Sequence, residues 1–173
     1  MAFTTFFKLQ SDRLGTAGSL KKIYGFHFRV TTFGGGERLD VMVLQALFRI
    51  FYYEFMNFGS IAPPAGSTGI IKVDGIVGKQ TRIHIQHYQQ HLKFRGATAT
   101  TDGVIDPFKK QGTLTAHTQK RFQLEALNGD CLKLAVDNKE ERVHQEMIDP
   151  SVHGDDIYTP DFRAALLVPQ FLV

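Results

Sequence analysis

Two short segments constrain this chain more than any other feature. Val73-Asp74-Gly75-Ile76-Val77-Gly78 and Thr101-Asp102-Gly103-Val104-Ile105-Asp106 share one pattern, Asp-Gly followed by two apolar β-branched residues. Glycine supplies a positive φ without steric cost, and the aspartate carboxylate accepts from the backbone amides that follow it. Each segment therefore predicts a tight turn whose apolar pair plugs into a core. The first runs directly into Gly78-Lys79-Gln80-Thr81, so that turn sets the entry of a helix.

Around the turns, hydrophobic spacing predicts three helices. Over 40–56, Val41, Leu44, Leu47, Phe48, Phe51 and Phe55 form an i, i+3, i+4, i+7 stripe, with Asp40 as the expected N-cap. Tyr52 and Met56 make the opposite face apolar too, so this helix should be covered on more than one side. A second helix over 78–93 carries Ile85, Tyr88 and Leu92. A third, over 115–134, carries His117, Arg121, Phe122, Leu124, Leu127 and Leu132, and Asn128-Gly129 is a possible early stop. The Pro/Gly-rich stretch 57–72 and the segment 94–112 read as loops. Residues 1–35 read as extended, from the partial alternation of Tyr24, Phe26, Phe28 and Val30, and Gly34-Gly35-Gly36 breaks that run. After Asp137 one short helix near 139–147 is expected, followed by an irregular tail.

The order of these landmarks resembles the peptidoglycan-binding-like family. Asp40-Val41 and Leu44-Gln45 fall where that family's first helix begins. Asp74, Gly75, Ile76, Gly78 and Thr81 match its turn, Tyr88-Gln89 stands in for Phe-Gln in its next helix, and Asp102-Gly103-Val104 matches its second turn. The resemblance spans residues 38–123, about half of the chain. Lys79 replaces the family's proline at the helix entry, the loop before the turn is longer, and His84 and His87 replace small residues. The resemblance implies a mainly α fold: a three-helix core over 37–136, an extended or small-β element over 1–36, and an acidic segment with an irregular, apolar C-terminal arm over 137–173. It also implies a ligand groove at Asp74, Gly75, Ile76, Gly78, Thr81, Arg82, Tyr88 and Gln89. The residue chemistry alone gives Gly75, Gly78 and Thr81 a backbone role, Tyr88 a core position and Gln89 a bond to a neighbouring loop.

Charge and composition limit the function classes. Residues 137–161 hold eight acids against two bases, while the whole chain is +3, so a basic body precedes an acidic late segment. The basic residues are scattered and form no nucleic-acid motif, so no nucleic-acid partner is expected. No stretch reaches the ~18 apolar residues of a membrane span. The single cysteine, Cys131, excludes an intramolecular disulfide and reads as a buried thiol. His84, His87 and His91 share a helical face without an accompanying carboxylate, and Asp155-Asp156 near Asp149 and His153 reads as a solvated acidic turn. Neither set implies a metal, and no cofactor is expected. No nucleophile–base set appears, so the chain is not expected to be an enzyme.

The family resemblance then implies a non-catalytic module that binds peptidoglycan or a related wall polymer and anchors a larger assembly. The N-terminus lacks the features of a signal peptide. Synthesis in the cytoplasm and delivery within a phage virion or contractile injection particle are the corresponding expectations. Ala164-Ala165-Leu166-Leu167-Val168-Pro169-Gln170-Phe171-Leu172-Val173 is uncharged, and with the Phe-rich N-terminus it suggests apolar arms that pack on the core or engage protein partners. The alternative is a scaffold subunit of a multi-protein assembly that has lost wall binding.

Overall fold

The computed structural model describes residues 2–8, 20–26, 30–54, 61–97, 100–106, 121–134 and 139–167. The fold is mainly helical with small β elements. Two strands, β1 (Ala2–Lys8) and β2 (Leu20–Phe26), pair antiparallel from Ala2↔Phe26 to Lys8↔Leu20. The short strand β3 (Val30–Thr31) pairs antiparallel with β4 (Val104–Ile105). The helices are α1 (Arg38–Arg49), α2 (Lys79–Phe94), α3 (Arg121–Leu134), α4 (Lys139–Ile148) and α5 (Pro160–Leu167).

Helix α1 is the centre of the molecule. Every residue from Asp40 to Phe48 is buried, because β1, β2, α3 and α5 all lie against it and the aromatic rings of α2 close a further side. Its apolar residues run all round for that reason. Phe48 and Phe51 meet Tyr88 of α2 edge-on, with centroids 5.9 and 5.5 Å apart. Ile85 and Leu92 complete the buried stripe of α2, and Leu124, Leu127 and Leu132 that of α3. Cys131 is buried as expected, and its thiol donates to the Leu47 carbonyl.

Several expectations need correction. Glu37, not Asp40, occupies the N-cap of α1, and Asp40 sits inside the first turn. After Arg49 the helix widens into a π turn, Ile50–Glu54, and Phe55 and Met56 lie outside the described residues. Helix α3 runs through Asn128-Gly129: the Asn128 side chain donates to the Leu124 carbonyl, so it bonds back into the helix rather than ending it. Residues 115–120, with His117, lie outside the described residues. The stretch 149–159 is irregular, but Pro160–Leu167 is a helix where an irregular arm was expected. Proline is at home in a first helical turn, and Phe162 and Leu166 bury on one face. Pro169 and the rest of the C-terminal arm lie outside the described residues.

Candidate functional site: two glutamine-clamped turns

The Asp-Gly turns are built alike, and a glutamine from a preceding helix holds each one. Gly75 has φ +76° and Gly103 φ +72°, the left-handed conformation that the sequence demanded. Gln45 of α1 reaches the first turn. The Gly75 amide donates to Gln45 Oε1 at 2.8 Å, and Gln45 Nε2 lies 2.9 Å from Asp74 Oδ1 and 3.0 Å from both the Ile76 carbonyl and Thr81 Oγ1. Two amide hydrogens are thus shared among three acceptors. Asp74 also accepts from the Ile76 amide at 2.9 Å, closing the turn locally.

Gln89 of α2 repeats the arrangement at the second turn. The Gly103 amide donates to Gln89 Oε1 at 2.9 Å, and Gln89 Nε2 donates to the Val104 carbonyl at 3.1 Å. Asp102 accepts from the Val104 amide at 3.0 Å. Gln123 of α3 extends the network: it accepts from Gln89 at 2.9 Å and donates to the Thr100 carbonyl at 2.9 Å. The Thr32 amide donates to the Gly103 carbonyl, which joins this turn to the β3–β4 pair. A side chain at either glycine would collide. A Cβ on Gly75 would lie 2.8 Å from the Arg38 carbonyl oxygen, and one on Gly103 would overlap the Thr32 side chain.

The two apolar pairs behave differently. Ile105 is buried, as expected, but Ile76 is 65% exposed. The backbone, not the side chain, of Ile76 turns inward. Its carbonyl accepts from Gly78, Gln45 and Thr81, which tightens the chain before α2 starts. Gly78 is the N-cap and makes no side-chain cap bond, so the Gln45–Thr81–Ile76 network organises that helix entry.

The predicted groove residues therefore separate into two groups. Thr81, Tyr88 and Gln89 are buried, and the Tyr88 hydroxyl donates to Asp130 of α3 at 3.0 Å. Asp74, Ile76 and Arg82 are exposed, with Gly75 and Gly78 half-buried between them. Gln45 is the functional framework residue that sequence reasoning did not single out. Its signal was the Leu44-Gln45 landmark, which carries no hint of a partner 30 residues away.

The histidine face of α2 is a packed seam. His84 is buried, its Nδ1 donates to the Gln80 carbonyl at 2.7 Å, and its Nε2 therefore accepts from the Tyr53 hydroxyl at 2.9 Å. The Tyr52 hydroxyl and His87 Nδ1 share a hydrogen bond of 3.0 Å. The π turn brings Tyr52 and Tyr53 side by side onto these two rings. Burial pushes the His84 and His87 imidazoles below their ordinary value, and burial together with the Arg95 guanidinium does so for His91. Both nitrogens of His84 are already engaged, so it has no lone pair to offer a metal.

Asp155 and Asp156 are exposed, and Arg163 pairs with Asp155. No protein-family model, curated protein or solved structure matches the chain. Among the described residues, no helix is long and apolar enough to cross a membrane.

Proposed function

We propose that the chain is a non-catalytic module that binds peptidoglycan or a related glycan-peptide polymer and anchors a larger assembly to it. The observation that carries this reading is the exposed edge of the first turn. Ile76 and Arg82 are exposed on a frame made by Gln45, Gly75 and Thr81, and the exposed Asp74 is bonded into that frame through Oδ1. A carboxylate, an apolar side chain and a guanidinium on a preorganised turn suit a polymer that offers hydroxyls, amides, methyl groups and carboxylates. Of the buried members of the predicted groove, Thr81 supports this edge from within, whereas Tyr88 bonds Asp130 of α3 and Gln89 holds the second turn.

Purified sacculi test the proposal. The wild-type chain is expected to co-sediment with them, and Ile76→Ser with Arg82→Ala is expected to release it while the circular dichroism spectrum stays unchanged. No retention of the folded wild type at low salt would reject wall binding.

One observation favours the alternative of a scaffold subunit. The polar groups of Gln45, Thr81, Gln89 and the Tyr88 hydroxyl are all bonded within the protein. A motif used this way serves folding whether or not a ligand binds. Loss of sacculus binding together with a defined multi-protein particle would support that reading.

A further inference from the structure

Three side chains from distant parts of the sequence converge beneath the π turn. Glu54 ends that turn, Glu146 lies on α4, and His153 belongs to the loop before α5. One donor atom from each lies within 4.8 Å of the other two. His153 Nε2 is 2.8 Å from Glu146 Oε2 and 3.6 Å from Glu54 Oε1. Two ligands on one tetrahedral zinc, with bonds of about 2.0–2.2 Å, stand about 3.4 Å apart. The two separations from His153 bracket that value and Glu54 lies within 4.8 Å of Glu146, so small side-chain rotations suffice to admit the ion.

A second, independent observation points to the same place. The Tyr158 hydroxyl is fully buried and has no hydrogen-bond partner among the described residues. Its ring meets the His153 imidazole edge-on at 5.5 Å, and its oxygen feels the charges of Arg49, Glu54 and Glu146. A buried hydroxyl without a partner is costly. A metal-bound water beside the cluster would satisfy it.

The loop is also held ready. Asp149 accepts from the Ser151 amide at 2.8 Å and from its hydroxyl at 2.7 Å. Arg163, buried on α5, donates to the carbonyls of His153 and Gly154. His153 is thus fixed by its backbone before any ligand arrives. Arg49 donates to Glu54 Oε1 at 2.6 Å. That carboxylate can turn its second oxygen to the arginine and still bind a cation.

We propose that Glu54, Glu146 and His153 form a binding site for a divalent zinc-class cation, with a metal-bound water at the open position as partner for the Tyr158 hydroxyl. An imidazole with two carboxylates suits zinc, and the nitrogen donor disfavours calcium and magnesium. The ion would join the π turn, α4 and the 149–159 loop. This site is independent of the wall-binding surface.

Titration calorimetry on the untagged full chain, stripped with chelator and then given zinc chloride, tests the site. One zinc per chain is expected, with a zinc-dependent rise in melting temperature. His153→Ala and Glu146→Gln should each weaken binding at least tenfold. Tyr158→Phe should keep one-to-one stoichiometry with severalfold weaker binding, and His87→Ala should bind as the wild type does. Circular dichroism confirms that each variant is folded. Absence of binding by the folded wild type at 100 µM zinc would overturn the proposal. So would unchanged affinity in folded His153→Ala, or binding lost in His87→Ala instead.

Discussion

Gly75 and Gly66 have similar backbone angles, φ +76° and +85°, but opposite surroundings. Around Gly66 an added Cβ meets nothing within 4 Å, whereas at Gly75 it meets Arg38 and Met42. Gly66→Ala should therefore cost about 1–2 kcal/mol, the ordinary penalty for a left-handed alanine. Gly75→Ala should add about 1–3 kcal/mol for the displaced neighbours. Urea denaturation of the two variants measures the difference, and equal losses would contradict the close approach. The need for glycine was legible in the sequence at Asp74-Gly75 and Asp102-Gly103. The identity of the clamp was not, because a glutamine side chain can bond any nearby backbone and nothing local assigns Gln45 to a turn 30 residues on.

At the scale of elements, the seam between the π turn and α2 makes stability depend on pH. His84 and His87 face Tyr53, Tyr52 and the Gln80 carbonyl, and His91 faces Arg95, with Asp130 nearby. Their folded-state values lie below the ordinary one, about 6.5, because burial disfavours the charged ring. As pH falls through the ordinary value, the unfolded chain takes up protons before the folded chain does. Stability is therefore complete above that value and declines progressively below it. The urea midpoint should fall between pH 7.5 and pH 5.5, and His84→Gln with His87→Gln should flatten the fall. An equally steep fall in the double variant would place the pH dependence elsewhere. The helices themselves were largely legible, since Ile85, Tyr88 and Leu92 or Leu124 and Leu127 repeat at helical spacing and are buried. The π turn was not. Phe51 and Tyr52 fit an uninterrupted α-helix equally well, and the neighbours of this turn, on α2 and α3, come from distant parts of the sequence.

For the whole molecule, the C-terminal region belongs to the core up to Leu166. Phe162 and Leu166 are fully buried, and α5 packs against α1, α4 and β1. Leu166→Ala should cost about 2–5 kcal/mol, as expected for a fully buried leucine. A loss below 1 kcal/mol in thermal or urea unfolding would mean that α5 docks only weakly. The apolar character of 164–173 was plain in the sequence, but an eight-residue helix opened by Pro160 is too short for periodicity to reveal. Long-range pairings were also out of reach. Nothing in Val30-Thr31 names Val104-Ile105 as its partner, and Glu54, Glu146 and His153 meet only through the packing of α4 on α3 and α5 and of α5 on α1.

The Gln45 clamp carries the frame on which the proposed wall-binding edge depends, the Gln89 clamp holds the second turn in the same way, and amide hydrogen exchange at single residues tests both most directly. In the wild type, the Gly75 and Gly103 amides, bonded to Gln45 Oε1 at 2.8 Å and Gln89 Oε1 at 2.9 Å, should exchange far more slowly than the open-loop amide of Gly66. Gln45→Leu should abolish protection at Gly75, leave it intact at Gly103, and cost about 1–3 kcal/mol of stability. Fast exchange at both glycines in the folded wild type, or unchanged protection of Gly75 in Gln45→Leu, would contradict the account.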